Sequence, residues 1–212
     1  MSANISFNPM ATTNAGGLFN VNSNGYTQGD AQDDPAIKFK LAGGVYAAAN
    51  TTPIWGGMPM TEYVATVTSS SVPGTGVLGP QLLAATSGET DISCWCVVNQ
   101  AFAGLTTPQS PAQTYGPGMS VNFYRNGSGA RIPLRLNPAA VSAIEGGAVN
   151  VQFYWNWANN WITVTNTDYA LPTSFKVLSI SPSSNANKTV SYNGTTGVAT
   201  YIYTDTVALC EV

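Results

Sequence analysis

Turn signals come too often in this chain to leave room for long helices. Asn-Gly, Gly-Gly and Pro-bearing clusters recur roughly every 8 to 12 residues, as at Gly43-Gly44, Asn126-Gly127, Gly146-Gly147 and Asn193-Gly194. Between them stand short runs of alternating apolar and polar residues, the two-residue period of a strand with one buried face. Only 8 % of residues are charged, so the Glu, Lys and Arg that stock exposed helices are scarce. The chain is expected to be all-β, an antiparallel β-sandwich or jelly-roll-like barrel with at most one short helix. Its 212 residues, 44 % of them hydrophobic, suffice for a buried core.

Residues 1–35 read as an extended N-terminal arm. The segment is rich in Asn, Gly, Ser and Thr and sustains no helical or strand period. Isolated apolar residues, Ile5, Phe7, Leu18, Phe19 and Val21, suit a segment lying along another surface. The first basic residue is Lys38, so the arm lacks the cations that contact with nucleic acid demands.

Residues 36–212 form the β-rich body. Ile37-Lys38-Phe39-Lys40-Leu41 alternates strictly and predicts a strand. Tyr63–Thr68 is a further strand candidate, and Ile92–Val98 reads as a buried one. Residues 104–118, with three prolines and three glycines, form a long connection that could project from the body. Met119–Arg125 and Ala130–Leu136 alternate on either side of Asn126-Gly127-Ser128-Gly129, a hairpin signal. Pro133 cannot donate a ladder bond, which places its strand at an edge or a bulge. Asn137 caps, and Pro138 opens, a single short helix. Asn156–Asn160 turns the chain between two strands, and later strands are expected near 174–180, 189–192, 198–203 and 206–212.

Histidine is absent, which removes the commonest general acid–base and the commonest metal ligand. The 10 acids are scattered and suggest no carboxylate pair. Cys94, Cys96 and Cys210 are odd in number, which argues against a disulfide framework. Cys94 and Cys96 share one strand face and are expected buried and reduced, as in a protein made in a reducing cytoplasm. No segment approaches the roughly 18 apolar residues of a membrane span. The expectation is a non-enzyme without metal or cofactor, bound to neither nucleic acid nor membrane. Sequons at Asn187 and Asn193 read as by-products of Asn/Thr richness.

Three groups could carry contacts. Tyr154, Trp155, Trp157 and Trp161 surround an Asn-rich turn, as core or subunit contact or as a sugar-stacking cluster. Arg125, Arg131 and Arg135 crowd one predicted hairpin, to pair with carboxylates on a sister or host surface or to solvate a strand face. Thr52–Met58 is too apolar for an idle loop and is either core-packed or a docking element.

At these residues the chain resembles a family of tailed-phage head proteins described as structural cement or decoration proteins. The resemblance runs through Ala36–Phe39, Pro53–Met58, Asn99–Phe102, Phe123–Ile132 and Ala208–Val212, with the Phe123–Ile132 block the most specific. It implies a β-rich protein on the outside of a phage head, bridging neighbouring major capsid protein subunits against internal genome pressure, with no catalytic residues. It supplies no contact positions. Phe7, Phe19, Trp55, Met58, Arg125, Arg131, Arg135 and Trp157 are therefore interface candidates on their own chemistry. A dimer or trimer is expected. The alternative is a receptor- or carbohydrate-binding head appendage.

Overall fold

A computed structural model describes residues 25–31, 35–63, 80–86, 91–98, 105–107, 110–145, 151–166, 169–181 and 187–212. Strands dominate them. Ala42–Tyr46 (β1), Pro59–Tyr63 (β3), Gln81–Ala84 (β4), Cys94–Val97 (β5) and Ser120–Arg125 (β8) close into a barrel in the order β1-β4-β3-β5-β8. Only β1 and β4 pair in parallel there. A second sheet runs Lys176–Ser181 (β13), Val207–Glu211 (β16), Arg131–Arg135 (β9). Tyr154–Asn156 (β10) pairs with Trp161–Thr163 (β11) and Tyr169–Ala170 (β12). Thr189–Asn193 (β14) and Val198–Ile202 (β15) form a hairpin. Ile54–Trp55 (β2), Ser110–Tyr115 (β7) and Leu105–Thr107 (β6) make the last sheet, with β7 central. The all-β expectation holds.

The β5 strand shows why two cores form. All four of its side chains are buried. Cys94 and Cys96 point into the barrel, against Tyr46, Met60, Leu82, Val121 and Phe123. Trp95 and Val97 point the other way, into a larger core with Trp155, Phe153, Phe175, Ile132 and Leu134. The two-residue period of the strand thus makes β5 a shared wall. Trp95 meets Trp155 edge-on at 5.3 Å and Phe175 at 6.1 Å. Such ring pairs are worth about 0.5–1.5 kcal/mol each beyond the area they bury. A third, small core joins Trp55, Ala112, Val190 and Ala199 beneath the β14–β15 hairpin. Met58 packs against all three.

The short helix forms as expected. It spans Pro138–Glu145 (α2), and the Asn137 side-chain oxygen accepts the Ala139 N–H at 3.0 Å. Pro133 lies on β9, an edge of its sheet, where a missing donor is harmless.

Four expectations need correction. Ile37–Leu41 is no strand: Pro35–Lys38 (α1) is one helical turn, continued by Lys40 N–H to Ile37 C=O and Leu41 N–H to Lys38 C=O. Ile37 and Leu41 both reach the large core, as residues four apart in a helical turn can, while Phe39 stands out in solvent. The β8 and β9 strands do not pair with each other. Both edges of β8 are taken, by β1 and β5, so the chain turns a corner and β9 joins β16 instead. The stretch 104–118 carries β6 and β7, and Ala112 and Tyr115 are fully buried; its prolines and glycines hid the strands. Last, residues 25–31, assigned to the arm, are tied into the body. Residues 1–24, including Phe7 and Phe19, and residues 99–102 lie outside the described residues, as does most of the Tyr63–Thr68 strand candidate.

Candidate interaction surfaces

The tie at 25–31 is built from backbone. Gln28 N–H donates to Lys188 C=O and Lys188 N–H to Tyr26 C=O, both at 2.8 Å. Gly29 N–H reaches Pro133 C=O at 2.8 Å, and Val98 N–H returns to Gly29 C=O at 2.9 Å. The segment so bridges β14, β9 and the end of β5. Gly29 has a φ of +76°, and a Cβ there would come within 2.1 Å of the Gly56 backbone, so only glycine fits. Asn187, fully buried, holds the same region. Its carbonyl oxygen accepts from Tyr26 N–H and Ser181 O–H, and its amide donates to the Ser181 and Asp205 carbonyls. A sequon asparagine with both side-chain atoms so engaged offers nothing for glycan attachment in the folded state.

The corner after β8 is a second polar junction. Asn126 accepts the Trp95 indole N–H at 2.8 Å and donates to Ile92 C=O. Gly129 N–H donates to Val212 C=O at 2.6 Å, and Val212 N–H to Ala130 C=O at 2.9 Å. Ser128 Oγ donates to Val212 C=O at 3.2 Å. Lys40 Nζ caps the Ser128 carbonyl at 2.8 Å. Four distant parts of the chain meet within this turn.

The sequence-selected residues scatter. Trp55 is 8 % exposed and stacks at 5.8 Å on Tyr192; its indole N–H has no partner among the described residues. Thr52–Met58 is thus core-packed at Ile54, Trp55, Gly56 and Gly57. Met58 is partly buried at the meeting of the cores. Arg125 clamps Glu62 through Nε to Oε2 at 2.7 Å and Nη2 to Oε1 at 2.6 Å. That carboxylate raises the guanidinium pKa above its ordinary value, yet a pair this exposed adds at most about 1 kcal/mol. Arg135 lies 2.8 Å from Asp205 Oδ2, donates to Asn159 C=O and rests over the Trp161 ring at 5.3 Å. Arg131 is exposed on β9, in register with Glu211, which pairs with Lys176. The three arginines therefore do not form one patch, and two of them spend their charge inside the chain.

Trp157 packs edge-on against Tyr169 at 6.3 Å. Trp155 is fully buried, and Tyr154, Trp157 and Trp161 are half-buried. Around the Asn-rich turn, Tyr154, Trp157 and Trp161 each keep part of a ring exposed. Trp155 and Trp157 pack into the large core.

The ionisable groups inside the barrel are silent near neutrality. Burial pushes the Cys94 thiol up to about 12 and drives Cys96 and Cys210 upward too. Tyr46 and Tyr115 shift upward for the same reason. All three thiols are free and buried, as the alternation around Trp95 implies. Among the described residues no group of three His, Cys, Asp or Glu side chains gathers to hold a metal, and no helix is long and apolar enough to cross a membrane.

Among the described residues the most exposed large hydrophobic side chain is Phe39, 94 % exposed, followed at a distance by Tyr203, Leu178 and Tyr63 at 40–44 %. Sequence reasoning missed it because a strand would have turned Ile37, Phe39 and Leu41 to one face. No protein-family model, curated protein or solved structure matches this chain.

Proposed function

We propose that the chain is a structural protein of a phage head, binding the outer surface of the capsid and stabilising it by bridging capsid subunits. The supporting observation is where the blocks that carry the cement-protein resemblance come together. Pro53–Met58 leads into the residue shared by three cores. Phe123–Ile132 spans the corner between barrel and second sheet, and Ala208–Val212 closes that corner. The motifs are joints of a braced body, which is what a protein that holds others under load requires. Affinity for the head would come from several modest contacts acting together.

The test is a co-sedimentation titration of the purified chain against heads of its own phage assembled without it. Saturation at a fixed ratio to capsid subunits, with a gain in the heat resistance of the heads, supports the reading. Absence of binding sinks it.

A further inference from the structure

From its place in the fold we infer that Phe39, flanked by Lys38 and Lys40, is a docking knob that enters an apolar pocket rimmed by carboxylates on the capsid surface. The inference rests on the capsid-binding reading and names the face that does the binding.

Three observations carry it. Phe39 is far more exposed than any other large apolar side chain described, and leaving such a ring in water forgoes burial that a partner could supply. It is also held rigidly outward. Ile37 and Leu41 on either side sink into the large core, Lys40 N–H bonds Ile37 C=O, and Lys40 Nζ is fastened to the Ser128 carbonyl. A preformed anchor loses little entropy on binding.

Charge gives the third. Lys38 and Lys40 are the only charged residues between positions 36 and 61, both are exposed, and neither joins an ion pair with a described residue. The chain as a whole carries −3. Asp33 and Asp34 precede the turn; within it, Lys38 and Lys40 set two cations beside the ring, suited to a carboxylate rim around a ring-sized pocket. One ring and two lysines on an anionic protein make a poor anchor for an anionic bilayer, where stable attachment takes more basic charge and more apolar area.

The experiment uses the full chain and heads lacking it, with Phe39→Ala, Lys38→Glu and, as a control at another exposed apolar position, Leu178→Ser. Lys40 is left intact because it braces the corner. All variants should melt like the parent, since none of the three side chains is buried. Phe39→Ala is expected to weaken head binding roughly tenfold or more, Lys38→Glu less, and Leu178→Ser not at all. Binding by the parent should weaken with added salt, and less steeply for Lys38→Glu.

Equal binding by parent and Phe39→Ala overturns the knob and leaves the capsid reading standing. Failure of the parent to bind overturns both. Equal weakening by Leu178→Ser, or Phe39-dependent binding to phosphatidylserine–phosphatidylcholine vesicles, also overturns a specific protein pocket.

Discussion

The chain contains two Asn-Gly turns set between alternating runs, and they fold differently. At Asn193-Gly194 the signal delivers a local hairpin. Asn193 pairs with Val198 across the ladder, and its side-chain oxygen accepts the Thr195 and Thr196 N–H groups. At Asn126-Gly127 the same dipeptide makes a corner between two sheets, and the asparagine bonds to Trp95 and Ile92, more than 30 residues away. The dipeptide bends the chain in both cases. Which strands then pair depends on whether their edges are already occupied, and those of β8 are.

That contrast can be broken by experiment. Alkali should act most strongly, and on the corner's side. All three thiols lie on β5 and β16, which flank the corner, and none on the β14–β15 hairpin. Burial holds the Cys94 thiol up at about 12 in the fold against an ordinary 9.0. Its contribution is fully present below pH 9.0 and is lost as the pH climbs toward the folded value, because only the unfolded thiol then ionises. For Cys94 this should cost about 1 kcal/mol by roughly pH 10, and Cys96 and Cys210, shifted in the same direction, add to it. Denaturant midpoints are expected to fall from pH 8 to 10, with a shallower fall in Cys96→Ala.

Next in size, Asn126→Ala strands the Trp95 indole N–H inside the large core and should cost about 2–3 kcal/mol in urea unfolding. Val212→Ala thins the contact that closes the corner, and about 1–2 kcal/mol is expected from the same measurement. Asn193→Ala removes two exposed caps and should cost less than about 1 kcal/mol. If Asn193→Ala proved the more damaging of the two asparagine changes, the distinction between a tertiary corner and a local hairpin would be lost.

How far the sequence could be read follows from the same distinction. Features set by neighbours in the chain were legible: the Asn137 cap, the Asn193 hairpin, the turn at 157–160, and the shared face of Cys94 and Cys96. Features set by competition between distant strands were not, and β8 with β9 is the clearest case. The Lys38-Phe39-Lys40 stretch failed for a third reason. Ile37 and Leu41 are four apart, a spacing that a strand and a helical turn both place on one face, and only Phe39 separates the two. Pro35, at the first position of the turn, was the available clue. The Phe39 knob, the best-exposed contact candidate, was hidden for the same reason, whereas Trp55 looked like an anchor in sequence and is core.

The tie at residues 25–31 has a mechanical meaning. Its hydrogen bonds to Lys188, Pro133 and Val98 engage different strands of the body within a few residues. Tension entering the chain at residue 25 would reach these bonds close together, and Gly29, wedged against Gly56, would act as a stop. A pull on the chain at residue 25 would be shared among three parts of the fold, and the body would resist it as a unit.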